Sequence, residues 1–136
     1  MDTIKQVELQ NSSWTDERGW GVNPLKALGI SEGIAGNLHI VSLEPGAVRG
    51  NHCHTSATEW ILVFGGKASI IWRTKKAGSV KQISGGESKP ALFEIPSDIE
   101  HAVFNDSSDT IYLAVFYDSY QPDTVHCAPL VDSLVE

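Results

Sequence analysis

The chain has 136 residues, 41% of them hydrophobic and 20% charged, with a formal net charge of −7. That length fits one domain able to bury a core without cross-links, and the acidic balance argues against general nucleic-acid binding, because phosphate backbones select basic surfaces. No apolar run approaches a membrane span, and the opening MDTIKQVELQ lacks the basic start and apolar stretch of a secretory signal. The two cysteines, Cys53 and Cys127, form neither a C-x-x-C motif nor a disulfide framework. A reduced, cytoplasmic protein with small-molecule partners, and neither nucleic acid nor membrane, is the expectation.

In chain order, strand-like runs fall at 4–9, 37–43, 47–54, 59–64, 67–73, 80–83, 91–95, 101–105 and 110–118. Helical periodicity is nearly absent. Its one signal is Asn23-Pro24-Leu25, an N-cap followed by proline at the first helical position, with Gly29 ending the helix within two turns. Gly65-Gly66, Ala77-Gly78-Ser79, Gly85-Gly86 and Ser107-Ser108-Asp109 supply turn chemistry between the strands. Many short strands so punctuated predict an all-β double-sheet jelly roll. It would form a single domain, with an N-terminal arm over about 1–35, the barrel over about 36–120 and a tail over 121–136.

The run at 59–64 is apolar on both faces. Strand parity sends Glu59, Ile61 and Val63 inward and Trp60, Leu62 and Phe64 outward, so something must cover the outer face. The run at 111–117, IYLAVFY, has the same character. Either the N-terminal arm or a second subunit would serve, and a homodimer is expected.

The segment GAVRGNHCHTSATEWILVFGG gathers His52, His54 and Glu59 within eight residues. On an extended strand His52 and His54 share a face and Cys53 points away as a small packing residue. The polar link Thr55-Ser56-Ala57-Thr58 allows a bend that turns Glu59 towards the two imidazoles. His101, in EIPSDIEHAVFND, is the best candidate to close the set. Three His and one Glu form an N/O donor set suited to zinc, and also to Fe, Ni or Mn.

Together the two segments resemble the two motifs of the cupin superfamily. Gly46, His52, His54, Glu59 and Gly66 match the first, and Pro96, His101 and Asn105 the second; Asp98 and Pro90 stand where that family has glycine. Asp tolerates the left-handed backbone better than most residues, so the turn at Asp98 is still expected. The segment RGNHCH, the following IIWR, EIPSDIEHAVFN and the late Pro122-Asp123-Thr124 are similar to the C-terminal cupin domain of capsular-polysaccharide sugar-nucleotide enzymes. That resemblance implies a zinc site and epimerisation beside the carbonyl of a 4-keto sugar nucleotide. The N-terminal DERGW, Asp16 to Trp20, also resembles a motif of dTDP-4-dehydrorhamnose 3,5-epimerases and related keto-sugar isomerases, which use the histidines as bases without a metal. The complete ligand set here favours the metallated branch.

A ligated histidine cannot also be the base through the same nitrogen. The base must then come from elsewhere, with Tyr117 and Tyr112 as candidates, and His52 and His54 returning to that role only without metal. Arg49 and Arg73 are candidates to grip a diphosphate; Lys75-Lys76 read as solvated surface. Asn105 reads either as a support for a ligand or as a ladder-end polar residue. His39 and His126 read as hydrogen-bonded structural residues. No G-x-G-x-x-G or P-loop pattern occurs, so neither nicotinamide nor triphosphate binding of the usual kind is expected. The leading function is a metal-dependent epimerase or isomerase of a 4-keto sugar nucleotide, with an Fe-dependent dioxygenase or a non-catalytic sugar-binding module as alternatives.

Overall fold

The computed structural model describes residues 3–9, 11–17, 19–29, 38–74, 79–119 and 122–130. Arg18, Asn37 and the Lys75-Lys76 pair lie outside the described residues. In chain order the elements are β1 (Lys5–Val7), β2 (Ser13–Asp16), β3 (Gly19–Val22), α1 (Pro24–Leu28), β4 (His39–Leu43), β5 (Val48–Cys53), β6 (Glu59–Phe64), β7 (Ala68–Thr74), β8 (Lys81–Gly85), β9 (Ala91–Ile95), β10 (Ile99–Phe104), β11 (Ile111–Tyr117) and β12 (Val125–His126). Two five-stranded sheets, ordered β1-β9-β6-β11-β4 and β12-β5-β10-β7-β8, and a β2-β3 hairpin account for the strands. The pairings are antiparallel, and the whole is the expected jelly roll.

Facing side chains of the two sheets make the main core. Ile61, Val63, Phe93 and Val115 come from one sheet, and Ile70, Trp72 and Val103 from the other. Strand parity therefore holds for β6. Its outer residues Trp60 and Leu62 join Leu92, Ala114 and Phe116 in a second cluster, against which Val7, Leu9, Val22, Leu25, Ala27 and Leu28 pack. The N-terminal arm thus covers this face within the chain. Leu38, Ile40 and Tyr112 remain exposed beside the edge strand β4.

The helix forms as its sequence dictates: the Asn23 side chain accepts from the Lys26 N–H at 3.1 Å, Pro24 starts it, and Gly29 ends it in a left-handed conformation with φ 66°. Two features go beyond the expected strands. The β2-β3 hairpin carries few β-branched residues, and β12 is two residues held on the edge of β5. Gly85, expected as turn, belongs to β8, where a Cβ would meet the Ala91 Cβ at 2.8 Å.

Tail residues cover the outer face of the second sheet. Leu130, fully buried, packs with Ile71 and Ala102, and Cys127 lies against the same cluster. The Leu130 N–H donates to the Asn51 side-chain oxygen at 3.0 Å, and the Cys127 N–H to the Asn51 carbonyl at 2.9 Å.

Candidate metal centre

The position of His52 depends on a bulge. Along the β5-β10 ladder Arg49 pairs with Val103 and Gly50 with Ala102, but His101 pairs with His52, which leaves Asn51 as an extra residue. Plain alternation from Arg49 would send His52 outward; the extra residue returns it to the inner face. Asn51 takes a positive φ of 59°, which asparagine tolerates. Gly50, with φ 108°, lies so close to β10 that a Cβ would stand 2.9 Å from the His101 carbonyl oxygen. Asp98 adopts the left-handed turn expected of it, φ 67°, and its N–H donates to the His54 carbonyl at 2.8 Å.

His52, His54, Glu59 and His101 each place one donor atom so that all lie within 4.8 Å of one another. Glu59 Oε1 is 2.8 Å from His101 Nε2 and 3.2 Å from His54 Nε2. The His54 Nδ1 faces the Asp123 carbonyl at 2.7 Å, and the His101 Nδ1 faces the Ile99 carbonyl at 2.9 Å. A carbonyl only accepts, so the proton of each neutral ring sits on Nδ1 and the Nε2 lone pair points at the carboxylate. Buried His54 Nε2, His101 Nε2 and Glu59 Oε1 lack an aligned hydrogen-bond partner among the described residues. Three inward-facing lone pairs at such spacing fit a divalent cation with bonds of about 2.0–2.2 Å.

Electrostatics support the same reading. Burial, helped by the neighbouring histidines and opposed by Glu59, pushes His52 down to about 4, leaving it neutral with a lone pair to offer. Burial would raise the Glu59 carboxyl, yet His101 and His54 outweigh it and hold it well below the usual range. Burial also opposes protonation of His54, but the nearby Glu59 carboxylate and the Asp123 carbonyl raise its pKa.

These groups lie in a cavity of about 190 Å³. His52, Glu59 and His101 line it together with apolar Val41, Ile61, Val103, Leu113 and Val115. Arg49 lines it too, and its Nε donates to the Ser42 carbonyl at 3.0 Å. Tyr117 also reaches in, with its hydroxyl 3.4 Å from Glu59 Oε2. Burial and the Glu59 charge raise its phenol further above the ordinary range.

Three predicted site residues lie elsewhere. Tyr112 has the opposite parity from Tyr117; it is 41% exposed and stacks on Phe64 at 5.8 Å on the outer face. Arg73 is committed to Glu100, its Nε 2.6 Å from the carboxylate, and alternates away from inward-facing Trp72. Asn105 is fully buried and clamps a loop, donating to the Leu43 carbonyl at 2.9 Å and the Asp109 carbonyl at 2.7 Å while accepting from the Ser107 N–H and hydroxyl.

Sequence reasoning missed Asp123 and His39. Besides its carbonyl contact with His54, Asp123 accepts through its carboxylate from the backbone N–H groups and hydroxyls of Thr55 and Ser56, fastening the tail to the loop between ligands. The Pro122-Asp123-Thr124 resemblance was the available signal. His39 lines the cavity and stacks against Tyr117, ring centroids 6.2 Å apart. His126 pairs with His52 across the β12-β5 ladder, their rings 6.3 Å apart.

The family model for the polysaccharide biosynthesis C-terminal domain matches residues 14–125. The chain belongs to this family. Its fold is that of the RmlC-like cupins, and three solved structures show the likeness. CapF from Staphylococcus aureus, a capsular polysaccharide assembling protein, superposes with a TM-score of 0.62 at 23% identity over 68% of this chain and 26% of its own. The chain thus spans about a quarter of CapF. A variant of the 3,4-ketoisomerase QdtA from Thermoanaerobacterium thermosaccharolyticum, in complex with TDP-4-keto-6-deoxyglucose, gives 0.70 at 12% identity over 90% of this chain and 86% of its own. A dTDP sugar isomerase from Desulfovibrio desulfuricans gives 0.73 at 18% identity, covering 93% and 84% respectively. No curated protein matches the chain by sequence. Among the described residues no helix is long and apolar enough to cross a membrane.

Proposed function

We propose that this chain is a cytoplasmic, metal-binding cupin that epimerises or isomerises a 4-keto sugar nucleotide in cell-surface polysaccharide synthesis. The carrying observation is the convergence of the orphaned His54, His101 and Glu59 atoms with His52 in an otherwise largely apolar cavity. His52, His54, Glu59 and His101 would hold one divalent ion, zinc first among the candidates. When bound, that ion supplies Lewis acidity to a substrate carbonyl. A 3,4-ketoisomerase bound to TDP-4-keto-6-deoxyglucose and a dTDP sugar isomerase share the fold and support the substrate class.

The cavity also limits how such a substrate sits. Small-molecule pockets usually enclose about 300–1,000 Å³, so about 190 Å³ has room for the hexose and leaves the nucleotide outside. Arg49, exposed yet lining the cavity, would meet the diphosphate. Apolar Val41, Val103 and Leu113 exclude water from the sugar ring. Tyr117, held protonated, donates to Glu59 and keeps one carboxylate oxygen aimed at the histidines. The homodimer belongs to the same reading, with exposed Leu38, Ile40 and Tyr112 as its apolar contact; light scattering should give twice 14.8 kDa.

Deuterium oxide provides the test. The metal-loaded protein, incubated with dTDP- or UDP-linked 4-keto-6-deoxy sugars, should place deuterium on the carbon beside the carbonyl faster than buffer does. Oxygen uptake on tightly bound iron without exchange would replace this reading with a dioxygenase. Thermal stabilisation by a sugar with neither activity would leave a binding module.

A further inference from the structure

We propose that His39 is the general base of this reaction, a step that rests on the keto-sugar reading above. Six side chains with ionisable groups line the cavity: His39, Arg49, His52, Glu59, His101 and Tyr117. Three belong to the ligand cluster, and their donor atoms are turned towards one another. Arg49 is a permanent cation and has no lone pair to offer. Tyr117 turns its hydroxyl to Glu59 Oε2, 3.4 Å away, and is engaged there as a donor. Among the described residues lining the cavity, His39 carries the one imidazole that stands outside the ligand cluster.

Its placement fits that duty. His39 stands on the edge strand β4, two residues before Val41 and on the same inner face. Its ring lies at 26° to the Tyr117 ring with centroids 6.2 Å apart, which fixes one face of the imidazole while the residue stays open to solvent. A base that touches both cavity and water can exchange the proton it removes. Imidazole is also the side chain most often used for such transfers.

The step balances without any further reagent. The C–H bond beside the carbonyl breaks, its proton passes to a His39 ring nitrogen, its electron pair forms the carbon–carbon double bond, and the carbonyl pair moves onto oxygen. Return of a proton from His39 to the same carbon restores the ketone; delivery from a water molecule on the opposite face epimerises it, and the hydroxide left behind takes the proton held by His39. Return to the former carbonyl carbon, with transfer of the neighbouring hydroxyl proton to the former carbonyl oxygen, moves the ketone by one position.

Wild type, His39→Gln, His39→Ala and His126→Gln are compared in their metal-loaded forms in deuterium oxide with a dTDP-linked 4-keto-6-deoxy sugar. Metal content and affinity for that sugar nucleotide are measured on each. His39→Gln should bind metal and sugar nucleotide as wild type does and exchange at least about 100-fold more slowly. Added imidazole should restore much of the rate in His39→Ala. His126→Gln should exchange at the wild-type rate. Wild-type exchange in His39→Gln, or the main loss in His126→Gln, would overturn the role of His39 and leave the keto-sugar reading standing. Absence of exchange in the wild type with every such sugar would overturn both.

Discussion

His101 and Asn105 stand four residues apart along β10 and its end, both deeply buried, and both belong to one recognisable motif. Their surroundings are opposite. Asn105 uses both amide protons on the Leu43 and Asp109 carbonyls and its oxygen on Ser107. His101 satisfies Nδ1 on the Ile99 carbonyl but turns an unpartnered Nε2 towards Glu59. A saturated buried polar group secures a loop, whereas an unsaturated cluster is built to be completed by something else. Proteins tolerate such incompleteness chiefly where a ligand supplies the missing partner.

Substitutions at the two positions should therefore separate stability from metal binding. Asn105→Ala removes the partner of the Leu43 carbonyl and of the Ser107 N–H and one of the two donors to the Asp109 carbonyl, and should destabilise the metal-free protein by about 3 kcal/mol. Denaturant unfolding measures this, and metal stoichiometry in the folded fraction should be unchanged. His101→Ala should weaken metal affinity by at least about 100-fold while costing the metal-free protein much less stability. Equal loss of metal from both variants would erase the distinction.

Gly50→Ala is expected to disturb both properties at once. The new Cβ would meet backbone, the His101 oxygen at 2.9 Å and the Ala102 Cα at 3.0 Å, at a φ of 108° that side chains avoid. Strands β5 and β10 must part where they carry His52 and His101, so a loss of about 2 kcal/mol should accompany weaker metal binding. Thermal melts with and without metal would show a stability loss larger in the metal-bound form.

The smallest effect concerns the tail. Hydrogen bonds from the side chains and backbone of Thr55 and Ser56 hold the Asp123 carboxyl at about 2, below the ordinary 3.8. A depressed carboxyl contributes its stabilisation fully above 3.8 and loses it as pH falls through about 2. NMR shifts of the Thr55 and Ser56 amides should titrate with a midpoint near 2; a midpoint at 3.8 would mean the tail is not fastened there.

Much of this was legible because period-two alternation and turn chemistry are local. The same-face placement of His52 and His54, the inward course of Glu59, Ile61 and Val63, and the capped helix at Asn23 all follow from near neighbours. What escaped depends on distant backbone. The bulge at Gly50-Asn51 is defined by its register against β10 and its tether to Leu130. The Asp123 carbonyl that orients His54 would look the same whatever residue carried it. His39 looked like any isolated histidine until β4 paired with β11 and brought it beside Tyr117. Tyr112 and Tyr117 differ only in parity, which became decisive once the inner face was assigned.

The proposed chemistry depends on His52, His54, Glu59 and His101 together holding one divalent ion. Elemental analysis of protein made without a histidine tag, grown in medium supplemented with zinc, iron, nickel and manganese, tests it most directly. Close to one metal ion per chain, surviving extensive dialysis, is the expected result. A folded wild-type protein carrying no metal after such growth would contradict it.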